Sequence, residues 1–170
     1  MLSKELQSAS QIVALVGLFF SILMFIPWLA SFAAGWKGGD HFLWSGLTSG
    51  FGCILVLLAT RGETPKISAR FGILVVNFLW WVVPLICALP FILALPELTL
   101  IEAIFEATSG LTTTGATVLT DLINQPRPIL LWRSLMQWIG GLGILSLGLI
   151  LLPFLRVGGM QLFRMESSDR

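Results

Sequence analysis

Oxygen-bearing side chains gather in one place in this sequence, the tract Glu106-Ala-Thr-Ser-Gly-Leu-Thr-Thr-Thr-Gly-Ala-Thr-Val-Leu119 between long apolar segments. Thr112, Thr113, Thr114 and Thr117 supply hydroxyl oxygens beside their backbone carbonyls. Gly115 lets the chain take backbone angles that other residues resist. Closely spaced hard oxygens can replace the water shell of a cation such as potassium. Irregular backbone at membrane depth is tolerated only where it is buried in protein or lines water. The tract therefore reads as a candidate pore loop of a cation-conducting protein, with the run Thr112-Thr113-Thr114-Gly115-Ala116-Thr117 as its lining. Thr112, Glu106 and Gly110 would support it. Catalysis finds no matching residues, because no acid pairs with a histidine and no Ser/His/Asp set or metal cluster exists. The single His41 beside Asp40 reads as a solvated loop residue. Cys53 and Cys87 lie in apolar runs and read as small buried residues rather than a disulfide.

The two acids that precede the tract have different readings. Thr99-Leu-Ile-Glu102 matches a capping box, in which each side chain bonds the other's free backbone N–H. Glu106 lies one helical turn further on. An acid in a membrane segment is costly and by default functional. It reads as a brace that accepts backbone N–H groups rather than as an ion ligand, since carbonyls and hydroxyls suffice for potassium. Arg133 reads as a side chain that snorkels to the interface, in preference to pairing with Asp121 or Glu106.

The elements that must position these residues are membrane helices. Hydrophobic residues make up 56% of the chain and charged ones 11%, against roughly 25% charged in a soluble domain. No basic stripe suggests a nucleic-acid partner. An apolar span is expected from Ile12 to Ala34 after a polar lead, with a kink at Pro27. A second runs from about Phe42 to Thr60 and holds Gly46-Leu-Thr-Ser-Gly50, a spacing for close helix contact. The loop Arg61–Arg70 carries Arg61, Lys66 and Arg70, and the positive-inside rule makes it cytoplasmic. Both termini are then inside. A third span reaches from Phe71 to about Leu95, with Trp80 and Trp81 as bulk packing or lipid contacts. A short helix over about 99–110 follows, about 15 Å long at ~1.5 Å per residue and so roughly half a bilayer. Gly110 is expected to end it as a C-terminal glycine. Asp121–Pro128 is an outer connection, and Ile129–Leu155 a last span. In that span Gly140, Gly141 and Gly143 are expected to pack closely on the short helix. The fold class is thus an all-α integral membrane protein, with two leading transmembrane helices followed by one helix–pore loop–helix repeat. The units are 1–70, 71–156 (filter about 112–117) and 157–170.

Three stretches carry a family resemblance. They are Phe105–Thr117, Trp132-Arg-Ser-Leu-Met-Gln-Trp-Ile-Gly-Gly-Leu-Gly143 and Leu152–Arg164. Together they resemble the Trk/Ktr/HKT superfamily of potassium transporters, and are most similar to the N-terminal part of the bacterial TrkH/TrkG type of membrane subunit. The resemblance implies potassium uptake across the cytoplasmic (inner) membrane, in some members coupled to a second ion. It places Thr113, Thr114, Gly115, Ala116 and Thr117 where potassium channels have their filter, which makes them the ion-binding positions, with Gly115 as the filter glycine and potassium expected at Thr113, Thr114 and Gly115. Departures from the channel signature at Thr114, Ala116 and Thr117 imply weaker discrimination against sodium. The family is expected to form homodimers, to pair with a cytoplasmic NAD- and nucleotide-binding regulatory subunit, and to need no cofactor beyond the transported ion. Its members carry four helix–pore–helix repeats around one pore. One repeat cannot enclose an ion, so the expectation is an N-terminal piece whose remaining three repeats complete the pathway. The competing reading is a small multi-span accessory or scaffold protein without its own pore.

Overall fold

The computed structural model describes residues 2–61, 69–143 and 145, and among them the chain is helix, turn and connection with no strand. Helices α1 (Leu2–Leu23) and α2 (Phe25–Ala34) make a single apolar rod broken at Met24. Pro27 explains the break. Its ring collides with the carbonyl four residues back, which belongs to Leu23, the last residue of α1. Within α2 it occupies the first turn, where its missing N–H leaves nothing unpaired. The polar lead is not separate from the span, as α1 already begins at Leu2.

Helix α3 (Asp40–Ala59) returns along α1. Asp40 at its start suits the positive end of the helix dipole. His41 sits in this first turn and is half-buried, not in a solvated loop. The contact with α1 is close because Gly46 has no Cβ; one would lie 2.9 Å from the Ser21 carbonyl oxygen. Nearby the Ser21 and Ser49 hydroxyls bond across the interface at 2.8 Å. The Gly46/Gly50 spacing thus serves packing inside the chain.

Helix α4 (Ala69–Ala94) has 26 residues, about 39 Å at ~1.5 Å per residue, and spans with tilt. Pro84 and Pro90 lie within it. Beside Pro90 the Cys87 carbonyl accepts the Trp132 indole N–H at 3.1 Å, so a neighbouring helix engages backbone at the proline turn. Trp81 is 74% exposed and Trp80 nearly half exposed, consistent with lipid contact. Helix α5 (Leu100–Leu111) follows, then a single 3-10 turn at Leu122–Asn124, then α6 over 127–143. Pro128 sits in the first turn of α6, a position proline favours.

Among the described residues, three helical stretches are long and apolar enough to cross a membrane: Lys4–Ala34, Asp40–Ala59 and Phe71–Ala94. The α2–α3 turn, Ala94 and residues 123–127 line one cavity, so these connections share one end of the bundle. There Arg127 stacks over Trp36 at 5.7 Å. Between the helices lies a core of Phe42, Cys87, Phe91, Ala103, Ala107, Ile129, Trp132 and Met136. Phe42 meets Trp132 edge-on at 6.1 Å. Cys53 and Cys87 are both buried and unbridged. Lys66, Gly148, Pro153, the stretch Leu152–Arg164 and the unit 157–170 lie outside the described residues.

Candidate functional site

Helix α5 starts where its sequence says it should. The Glu102 N–H donates to Thr99 Oγ1 at 3.3 Å, and the Thr99 N–H donates to Glu102 Oε2 at 2.8 Å, which completes the capping box. That backbone bond holds the exposed Glu102 carboxyl below its ordinary range. The other end differs from expectation. The helix continues through Gly110 to Leu111, and Thr112 is its C-cap. Gly110 does not terminate α5; it makes room for Met136 of α6, whose atoms would lie 3.1 Å from a Cβ there. Leu111 borders the cavity lined by Leu79, Trp80 and Val83, the middle of α4. The short helix therefore stops about halfway along the bundle.

From that depth the chain turns back along α5. Thr114 N–H donates to the Ser109 carbonyl at 3.0 Å, and the Ser109 hydroxyl donates to the Ala116 carbonyl at 2.6 Å. The Val118 N–H then donates to Glu106 Oε1 at 2.6 Å. The α5 partners step backward as the tract goes forward, so the two run antiparallel. The reversal is sharp: Gly115 has φ 75° and Thr113 φ 57°. A β-branched residue in the left-handed region is a genuine outlier, held there only by its surroundings. Residues 113–117 are exposed. Among the described residues, no donor reaches the carbonyls of Thr113, Thr114 or Gly115, whereas that of Ala116 is turned back to Ser109.

Behind the tract lies a buried charge pair. Glu106 is 1% exposed. Its Oε1 also accepts the Thr117 hydroxyl at 2.6 Å, and its Oε2 accepts the Arg133 guanidinium. Arg133 Nη1 reaches Thr117 Oγ1 as well, at 2.6 Å. The expectation that Arg133 snorkels is thus wrong. Its side chain is 12% exposed and turned inward, because an acid and a base inside an apolar bundle each remove the cost of burying the other. Ser109 is the site residue that sequence reasoning missed, and for Arg133 the pairing with Glu106 was weighed but set aside. Glu102, Glu106 and Ser109 are spaced by four and three, one stripe of a helix. That stripe, and the rule that buried charges pair, were the available signals.

Helix α6 backs this arrangement. A Cβ on Gly140 would lie 2.0 Å from the Leu111 carbonyl oxygen, so only glycine lets α6 approach the turn out of α5. Gly141 touches the Thr113 methyl more loosely, at 3.7 Å from its Cβ position, and Gly143 faces open space. Close packing therefore rests mainly on Gly140. Functionally, the geometry offers unengaged carbonyl oxygens at mid-depth, beside the negative end of a helix dipole.

Comparison with known proteins shows the family of the chain. Residues 46–170 match the family described as TrkH, cation transport protein. The chain belongs to that family. Its members are transporters of cations, not enzymes. The chain is 39% identical over 161 residues to the Trk system potassium uptake protein TrkH of Escherichia coli K12, covering 94% of this chain and 33% of that protein. Against the Trk system potassium uptake protein TrkI of Halomonas elongata it is 47% identical over 90 residues, 53% of this chain and 18% of that protein. The crystal structure of the potassium transporter TrkH from Vibrio parahaemolyticus superposes with a TM-score of 0.81 at 34% identity, covering 87% of this chain and 32% of that one. The chain thus spans about a third of the length of its full-coverage relatives. It is a multi-pass membrane protein.

Proposed function

We propose that this chain supplies the first of four helix–pore loop–helix repeats of a potassium uptake protein in the cytoplasmic membrane. Residues 1–70 are the two leading transmembrane helices and their loop, 71–156 the repeat, and 157–170 the start of the link to the others. Helix α5 is the pore helix and 112–117 the filter strand. The single observation that carries this reading is the tract itself, folded back along a half-length helix, with Thr113, Thr114 and Gly115 exposed and their carbonyls free of donors among the described residues. Those three carbonyls replace part of the ion's water shell. Ala116 and Thr117 shape the strand. The open side of the tract is where three further repeats would close the pathway. Both termini face the cytoplasm, and the assembly is a homodimer with a nucleotide-binding regulatory subunit on that side. The test is rubidium uptake by cells that lack their own potassium uptake and express the protein from its natural gene. Gly115→Ser should raise the sodium-to-potassium uptake ratio or abolish uptake, because its φ of 75° favours glycine and strains a side-chain-bearing residue. Unchanged uptake and ratio would refute the filter assignment.

A further inference from the structure

Thr117 is at the end of the tract, and its hydroxyl has no capacity left for an ion. A hydroxyl offers one donor and two acceptor sites. It donates to Glu106 Oε1 at 2.6 Å and accepts from Arg133 Nη1 at 2.6 Å and from the Leu119 N–H at 3.0 Å. Arg133 in turn spans the other carboxylate oxygen of Glu106. Glu106, Thr117 and Arg133 therefore close a ring in which each bonds the other two. The ring joins three separate pieces of chain: α5, the returning tract and α6. Its position fixes where the tract's far end sits, since the Val118 N–H is bonded to the same carboxylate. At the near end the tract is held differently, by Ser109 and by the turn at Thr113.

We infer that Arg133 is a positioning residue for ion discrimination: by clamping Thr117 and Glu106 behind the tract it sets the spacing of the carbonyls at Thr113, Thr114 and Gly115. Arg133 acts through Thr117, to which its Nη1 donates. Its charge balances that of Glu106, so the ring adds no net charge, and attraction for the cation comes chiefly from the backbone dipoles. This rests on the reading of 112–117 as a filter strand.

The test uses the natural gene in cells lacking potassium uptake, with the protein's membrane level measured beside the concentration dependence of rubidium and sodium uptake. Thr117→Val keeps shape and removes the hydroxyl. It should raise KM for potassium about tenfold, the scale of a lost hydrogen bond to a charged group, and lower the potassium-to-sodium ratio at an unchanged membrane level. Thr117→Ser should stay near wild type. Arg133→Gln should shift KM and ratio the same way, and Arg133→Lys should recover part of the loss. If Arg133→Gln does not accumulate, Thr117→Val decides alone. Wild-type KM and ratio in Thr117→Val, while Gly115→Ser is altered, would overturn the role of the clamp and leave the filter standing. Wild-type behaviour in both would remove the filter reading and the inference with it.

Discussion

Glu106 and Arg133 stabilise the site only as a pair. Glu106 is 1% exposed, so removing one partner leaves the other charged in an apolar interior. Glu106→Gln should destabilise the protein by about 3 kcal/mol, seen as a lower melting temperature in detergent, and Glu106→Gln with Arg133→Gln should regain part of that. Additive losses in the double variant would contradict the pairing. Glu102 makes a different, pH-dependent contribution. Its carboxyl is held below the ordinary carboxylate range by the Thr99 N–H. The folded value is depressed, so the cap contributes fully above the unfolded value and its contribution is lost as pH falls through the folded one. The melting-temperature gap between wild type and Glu102→Gln should therefore shrink on acidification below the carboxylate range. A gap that widens in acid would reverse the sign.

Among the elements, the contact of α5 with α6 decides the site. Gly140 sits so close to the Leu111 carbonyl that any side chain must push α6 away. Gly140→Val should cost about 2 kcal/mol or more and reduce the membrane level of the protein, whereas Gly143→Ala, which meets nothing, should be silent. Equal effects of the two would remove the close packing from the account. Helix existence and extent were mostly legible from apolar runs and caps: α3 and α4 start and end within two residues of expectation. What misled was local rules meeting tertiary contact. Gly110 looked like a stop signal, but it is glycine because Met136 lies against it. Arg133 at a span's end looked free to snorkel, and only the fold brings Glu106 to it across 27 positions. Pro27 was legible as a kink, and the structure adds only that the break falls at Met24.

For the whole molecule, the place of the tract was readable in sequence because a Thr/Gly run interrupts the apolar segments, but its direction was not. The fold-back along α5 comes from Ser109 and Glu106, whose shared helix stripe marks a face but not the direction of the chain that bonds to it. Residues 113–117 form an exposed edge. If it lines an ion pathway, a heavy potassium substitute should bind there. The direct measurement is the position of thallium ions by anomalous scattering in crystals of the protein expressed from its natural gene. The account predicts a thallium peak in coordination range of the Thr113, Thr114 and Gly115 carbonyls, lost with Gly115→Ser. Thallium bound only elsewhere, with the tract empty in the transporting protein, would contradict it.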